Sequence, residues 1–517
     1  MNRYFYICLV GLVLSCVSCF KDDTNTSYRQ LVKPVLVNDE KLPELFIENH
    51  VYSVKYGEDL VITPGISYEN MDDLEYEWRV DGKTISTTKD FRWTCDISDR
   101  SVGTFLIRRK SAGNADVYGF TIALNQPYER GWAVLTKDNG ELRLHFLQEI
   151  IASPEYEYEE WYDALGRSLS YSKPIRVMEF WSTETSSVKG ELLYLDEDPA
   201  KCVNMNGLSF GETVRLQEEF RNETFPEGLQ VKDAMYCGFV SYILDTSGKL
   251  YQRKAGYGYY TGQFSERPVQ FEGKELKVSA LMPCAYPSKM ALIYDSGNGR
   301  FLLVETDYAV KASESTGKKA GQILEFPDNS GLNTLTGQEL AWSSFLKPKY
   351  SYEPTYSYFC ILKGTDGMYR ARQFQVEYDG DVLSGVTNDF KEVVFPGFGA
   401  DSKICVLNDE YMGMIQPCIY FTKEGDPYSL WSCTRSEKGL SSPTLYKKFD
   451  SPIVGLDHSK LSRTASYLGV ALKNGDLMIF NLTKDYMKET DDSLVKTWHG
   501  LGEIVELNYK YGNVSNV

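Results

Sequence analysis

Residues 132–146 read WAVLTKDNGELRLHF, and this stretch decides how most of the chain is read. An apolar run, Trp132 to Leu135, leads into Lys137-Asp138-Asn139-Gly140, and alternating residues follow from Glu141 to Phe146. Asn-Gly favours the left-handed backbone of a tight antiparallel turn, so the stretch predicts a β-hairpin. The pattern recurs as SYILDTSGKLYQRK from Ser241, ALIYDSGNGRFLLVE from Ala291 and FCILKGTDGMYRARQF from Phe359. It returns again as IYFTKEGDPYSLWSC from Ile419 and LGVALKNGDLMIFNL from Leu468, with a weaker relative, ELLYLDEDPAKCVNM, from Glu191. The starts lie roughly 50 to 70 residues apart, which leaves room for two further strands per unit, the arithmetic of a β-propeller blade. Seven hairpins predict about seven blades over residues 128–517, with six or eight also open, as is a series of unrelated hairpins in sandwiches.

Upstream the pattern differs. VYSVKYGEDLVITPGISY from Val51 and LEYEWRVDGKTI from Leu74 alternate around Gly57-Glu58-Asp59 and Asp81-Gly82, which are strand and hairpin signals. About seven strands over residues 44–127 predict a small immunoglobulin-like β-sandwich with Trp78 in its core. Cys95 has no nearby partner there, so the inter-sheet disulfide of antibody-type domains is excluded. The fold class expected is therefore all-β, a sandwich followed by a propeller.

The first 18 residues have the form of an export signal: Arg3, then the apolar run YFYICLVGLVLS, then small residues before cysteine. The run is too short to span a bilayer, which needs about 20 apolar residues. The segment resembles a bacterial lipoprotein signal, cut before a cysteine whose thiol receives a diacylglycerol. Cys16 and Cys19 both satisfy the small-residue requirement, and Cys16 has the more usual aliphatic residue three positions upstream. Phe20-Lys21-Asp22-Asp23 directly follows Cys19 and resembles the lysine-plus-acids signal that sends lipoproteins of Bacteroidota to the outer face of the outer membrane. Cys19 is therefore the expected anchor, Lys21, Asp22 and Asp23 the expected export signal, and residues 19–43 a lipidated flexible tether. An ordinary secretory signal and a merely solvated tether are the alternatives.

Chemistry is sparse in this sequence. A net charge of −17 argues against a nucleic-acid partner, because phosphate binding needs clustered Lys and Arg. His50, His145, His458 and His499 show no metal-ligand spacing, the eight cysteines after Cys19 contain no C-x-x-C pair, and neither a G-x-S-x-G elbow nor a phosphate loop occurs. Asp295-Ser296-Gly297-Asn298-Gly299 only faintly resembles a calcium loop. No cofactor, metal or catalytic residue is expected. An exported chain permits disulfides, yet buried free thiols are equally compatible with the spacing. Two aromatic clusters are candidate ligand-binding residues: Trp161 and Tyr162 in SPEYEYEEWYDALG, and Tyr257, Tyr259 and Tyr260 in AGYGYYTGQF. Such rings stack on sugars or peptides, although alternation also fits a strand with one buried face.

Taken together, the cysteine followed by acids, the sandwich stretch ENHVYSVKYGEDLVITPGISY…LEYEWRVDG and the junction NQPYERGWAVLTKDNGELRL resemble the PKD-like lipoprotein family of Bacteroidota. That resemblance covers most of the chain. It implies a surface lipoprotein associated with a SusC/SusD-like, TonB-dependent nutrient importer and helping to capture oligopeptide or glycan, and it supplies no catalytic residue. The expected function is thus a lipid-anchored accessory on the extracellular side of the outer membrane, not an enzyme. A stand-alone glycan- or peptide-binding lipoprotein and a propeller glycosidase or peptidase are the alternatives.

Overall fold

A computed structural model describes residues 32–37, 46–54, 57–97, 100–124, 128, 130–152, 157–182, 190–254, 262–283, 289–307, 319–346, 355–379, 382–407, 417–436, 438–460, 466–482, 489–490 and 493–512. Cys19, Lys21, Asp22, Asp23, Tyr257, Tyr259 and Tyr260 lie outside them. The chain divides into two compact units, the first made chiefly of residues up to Ala123 and the second running from Leu124 onward.

The first unit is a β-structure around one aromatic core. Its five-stranded sheet runs in the order Val51–Val54, Ala115–Leu124, Arg100–Arg109, Leu74–Val80, Lys83–Ser86, and Asp59–Ile62 pairs separately with Phe91–Thr94. Trp78 is fully buried, stacks on Phe105 with ring centroids 3.9 Å apart, and donates its indole N–H to the Thr88 carbonyl at 3.0 Å. Phe46, Phe91 and Phe120 close round it. A Cβ at Gly103 would come within 2.2 Å of the Phe120 ring, so this strand position admits only glycine. One difference from the sequence reading concerns the expected tether. Val35–Val37 is a strand, paired antiparallel with Gly65–Ser67, and Arg109 holds the Val32 carbonyl at 2.8 Å. Three consecutive aliphatic residues after Pro34 are enough to add an edge strand to an open backbone row.

In the second unit, the seven hairpins recognised in the sequence each pair antiparallel within successive blades; six are the two middle strands of their blade, whereas in blade 3 the second strand, Leu250–Lys254, is the outermost of the described sheet, which is continuous with blade 2. Blade 1 contains Gly131–Asp138, Glu141–Ala152 and Glu157–Leu169, and its innermost strand, Glu503–Lys510, comes from the far end of the chain. That pairing closes the ring without a disulfide. The inner strands of blades 2 to 7 are Pro174–Ser182, Val231–Gly238, Val278–Met282, Glu339–Leu346, Ile404–Val406 and Ile453–Lys460. Blades 2 and 3 touch directly, Trp181 lying parallel beside Cys237 and Ser182 beside Gly238.

The cores explain why the first strand of each hairpin reads as an unbroken apolar run. In blade 1, Trp132 and Val134 face blade 7, whereas Ala133 and Leu135 face blade 2. A strand between two neighbouring blades is buried on both faces, so period-two alternation disappears from it. Seven such clusters, one at each blade junction, complete the circle. The turns are held by buried aspartates at the end of that strand. Asp245 accepts from the Lys249 amide at 2.8 Å, and Asp295 from Asn298 Nδ2 at 2.7 Å and Arg300 Nε at 3.0 Å. Asp295 is therefore a turn-closing residue whose oxygens are committed within the protein, and the faint calcium-loop resemblance reflects that role.

The seven described cysteines, Cys95, Cys202, Cys237, Cys360, Cys405, Cys418 and Cys433, are buried thiols. Burial pushes the thiols of Cys202, Cys360, Cys418 and Cys433 up to about 12, which keeps them protonated and inert.

Candidate functional site: the propeller axis

Inner strands of a propeller turn one face toward the axis, so their side chains meet although they are distant in sequence. Here they enclose a cavity of about 420 Å³, lined from five of the seven blades. Trp181, Phe345 and Tyr511 supply aromatic surface, while Ser343, Ser344, Asn508 and Arg176 supply polar groups. Each of these is partly exposed to the cavity. Arg176 is oriented by a 2.5 Å ion pair to Asp233 and by donation to the Ala234 carbonyl at 3.2 Å, so it bridges blades 2 and 3.

Beside the cavity, three carboxylates fasten the closing strand to its neighbours. Asp457 Oδ2 accepts from the Tyr509 amide at 2.5 Å, Glu506 Oε2 from the Val177 amide at 2.5 Å, and Glu179 Oε2 from the Tyr511 amide at 2.7 Å. Glu179 Oε1 also takes the Gly512 amide at 2.9 Å and lies 3.5 Å from Lys510 Nζ. Inner strands of different blades diverge, and a side chain reaching across supplies the acceptor that an adjacent backbone would supply in a flat sheet.

These acids are held out of bulk water, and their proton affinities follow. Desolvation pushes Glu506 up to about 8, against the pull of the Arg176 charge and the Val177 amide. It pushes Glu191 up to about 7, opposed by Lys510 and the Gly207 backbone. Glu179 also moves upward, because its desolvation outweighs Lys510 and two amide donors. Asp457 is driven up to about 7 by desolvation, opposed by the Tyr509 and His458 amides, and 26% of its side chain stays accessible.

The inner strands of blades 6 and 7 also bring together residues that could hold a metal. Cys405, Asp457 and His458 place one thiol, one carboxylate and one imidazole nitrogen within 4.8 Å of one another.

The N-terminal region can now be placed. Residues 19–170 match the PKD-like family. The match spans the first unit and runs on through the three consecutive strands of blade 1. No curated protein matches the chain. Among solved structures, it is similar to a quinonprotein alcohol dehydrogenase-like protein of Bacteroides thetaiotaomicron, at 12% identity and a TM-score of 0.40, covering 92% of this chain and 96% of that one. It is also similar to AztD of Citrobacter koseri, at 9% identity and a TM-score of 0.38, covering 78% and 94%. The lectin of Aleuria aurantia matches at 9% identity and a TM-score of 0.30, covering 73% and 96%. Likeness at this level carries no weight for activity, and the propeller rests on the strand pairing and the closed ring of cores.

Of the aromatic candidates from the sequence, Tyr257, Tyr259 and Tyr260 lie outside the described residues. Trp161 and Tyr162 lie on Glu157–Leu169, the outermost strand of blade 1, paired with Glu149 and Gln148. The axial residues Arg176, Trp181, Phe345, Asn508 and Tyr511 were missed because they sit in the segments between hairpins. The one available signal was the mixed polar and aromatic composition of PIRVMEFWS, residues 174–182, which is too polar for a strand between blades.

Proposed function

We propose that this chain is a surface lipoprotein, acylated at Cys19 with Lys21, Asp22 and Asp23 as its outward address, that captures an oligopeptide or glycan for a SusC/SusD-like importer. The axial cavity is the capture site in this reading. Its support is the lining itself: three partly exposed rings offer stacking surface for a sugar or a side chain, and two serines, an asparagine and an anchored arginine offer hydrogen bonds at fixed places. Among the described residues lining the cavity, Glu179 is the only carboxylate, and both its oxygens accept backbone amides. Glycoside hydrolysis by the usual route uses two carboxyl groups facing each other across the substrate, so the lining favours binding over hydrolysis.

The test has two arms. Native protein is recovered from outer membranes and its partners identified, the expected result being a TonB-dependent transporter subunit in the same complex. Purified protein is then mixed with peptide and glycan pools, and retention is compared with Trp181→Ala. Recovery without any transporter, combined with retention in the wild type, would shift the reading to a stand-alone binder.

A further inference from the structure

We propose that Cys405, Asp457 and His458 form a binding site for a zinc-type divalent cation on the inner strands of blades 6 and 7. Cys405 is the central residue of Ile404–Val406, and Asp457 and His458 are consecutive in Ile453–Lys460. Cys405 Sγ lies 3.4 Å from His458 Nδ1, and His458 Nδ1 lies 3.8 Å from Asp457 Oδ1. In a tetrahedral site with metal–sulfur and metal–nitrogen bonds of about 2.3 and 2.0–2.1 Å, donor atoms are separated by about 3.6 Å. Both measured separations lie close to that spacing, and the third falls within 4.8 Å.

The donor set has its own logic. One thiolate, one carboxylate and one neutral imidazole carry two negative charges, which a divalent cation cancels within a desolvated ring. Sulfur with nitrogen selects zinc-like ions over magnesium or calcium, which take oxygen sets. Asp457 is oriented for the task from outside, its Oδ1 accepting the His458 amide at 2.8 Å and its Oδ2 the Tyr509 amide at 2.5 Å, and each oxygen keeps a further lone pair. His458 and Asp457 keep 16% and 26% of their side chains accessible, which gives an ion a route to the donors. Three protein donors leave a fourth position open, and binding releases the Cys405 thiol proton to solvent.

This inference is independent of the capture reading, because it concerns blades 6 and 7, which contribute nothing to the described cavity lining. The probe is cobalt(II), added to full-length protein first stripped with chelator. The expected result is one equivalent bound per chain, with a thiolate-to-cobalt charge-transfer band and the intense visible bands of tetrahedral cobalt, displaced by zinc. Cys405→Ser removes the charge-transfer band, and His458→Gln weakens zinc affinity by at least about tenfold in chelator competition, the lower bound even for residues outside the ligand set. Far-ultraviolet circular dichroism of each variant without metal verifies that the fold is retained, and Asp457→Asn, which preserves shape, supplies a third variant. Absence of the charge-transfer band in the wild type, or its persistence in Cys405→Ser, overturns the proposal. Cobalt binding with the charge-transfer band in the wild type, lost in Cys405→Ser without loss of peptide or glycan retention, supports it and leaves the cavity a separate site.

Discussion

Trp132 is where the ring closes, and its removal gives the sharpest test of the architecture. The side chain is fully buried between blades 7 and 1 and meets Tyr509 of the closing strand edge-on, with centroids 4.9 Å apart. A buried aromatic removes about 150–250 Å² from water, which at about 25 cal/mol per Å² contributes roughly 4–6 kcal/mol. Measured losses for Trp→Ala in cores are about 3–5 kcal/mol, so a loss of about 4 kcal/mol is expected for Trp132→Ala. Its partner across the seam refines the test. A Cβ on Gly469 would lie 2.5 Å from the Trp132 ring, so Gly469→Ala overpacks the same junction and costs about 1–3 kcal/mol. In the Trp132→Ala background that clash has no ring to strike, and Gly469→Ala becomes nearly neutral, a coupling of about 1–3 kcal/mol. Because the chain has two units, a global melt blends their transitions, and hydrogen exchange of the amides of residues 503–510 is the readout. A loss below about 1 kcal/mol for Trp132→Ala, or strict additivity of the two substitutions, would refute this account of the seam.

Further outcomes follow from the charged groups. Glu506 and Glu191, raised from about 4.5 to about 8 and about 7, bind more protons folded than unfolded, so stability present below about pH 4.5 is lost as pH rises toward 8. Glu506→Gln removes at most one proton from that linkage, lowering the slope by up to about 1.4 kcal/mol per pH unit; urea midpoints across this range, measured with chelator present, check it. Arg253 and Glu219 form a buried pair at 2.8 Å, with Asn204 Nδ2 and the Tyr236 hydroxyl each donating to Glu219 at 2.8 Å. Arg253→Met strands that carboxylate and costs about 3–5 kcal/mol, whereas Arg253→Met with Glu219→Leu recovers much of the loss in the same denaturation assay.

The blades were legible in sequence and the axis was not, for one physical reason. WAVL, YILD and ALIYD lie between neighbouring blades, where both faces must be apolar and the following turn needs Gly, Asn or Asp, so every blade repeats the same chemistry. The inner strands obey no such common demand. Each contributes different residues to the cavity or to the seam beside it, Arg176 and Glu179 from one blade, Asp457 from another, Glu506 and Asn508 from a third, and their proximity depends on ring closure. The weak seventh hairpin from Glu191 illustrates the boundary: its turn is a 3-10 segment, Pro199–Lys201, capped by Asp198, and the strands that flank it still form the middle of blade 2. Asp457 and His458 do not read as ligands in the sequence because a metal-ligand search looks for local spacing, whereas Cys405 is brought to them from the adjoining blade. Trp78 was readable because a sandwich core needs a large ring at the centre of its long strand.

The most direct measurement for the central claim is retention of ligand by the axial cavity. Wild-type protein and Trp181→Ala are incubated with peptide and glycan pools, passed through a desalting column, and the retained small molecules identified by mass spectrometry. The account predicts a defined set of peptides or glycans held by the wild type and lost, by at least about tenfold, from Trp181→Ala, since truncating one central aromatic typically costs upward of 1 to 2 kcal/mol of binding. Nothing retained by the wild type, or equal retention by both proteins, would contradict it.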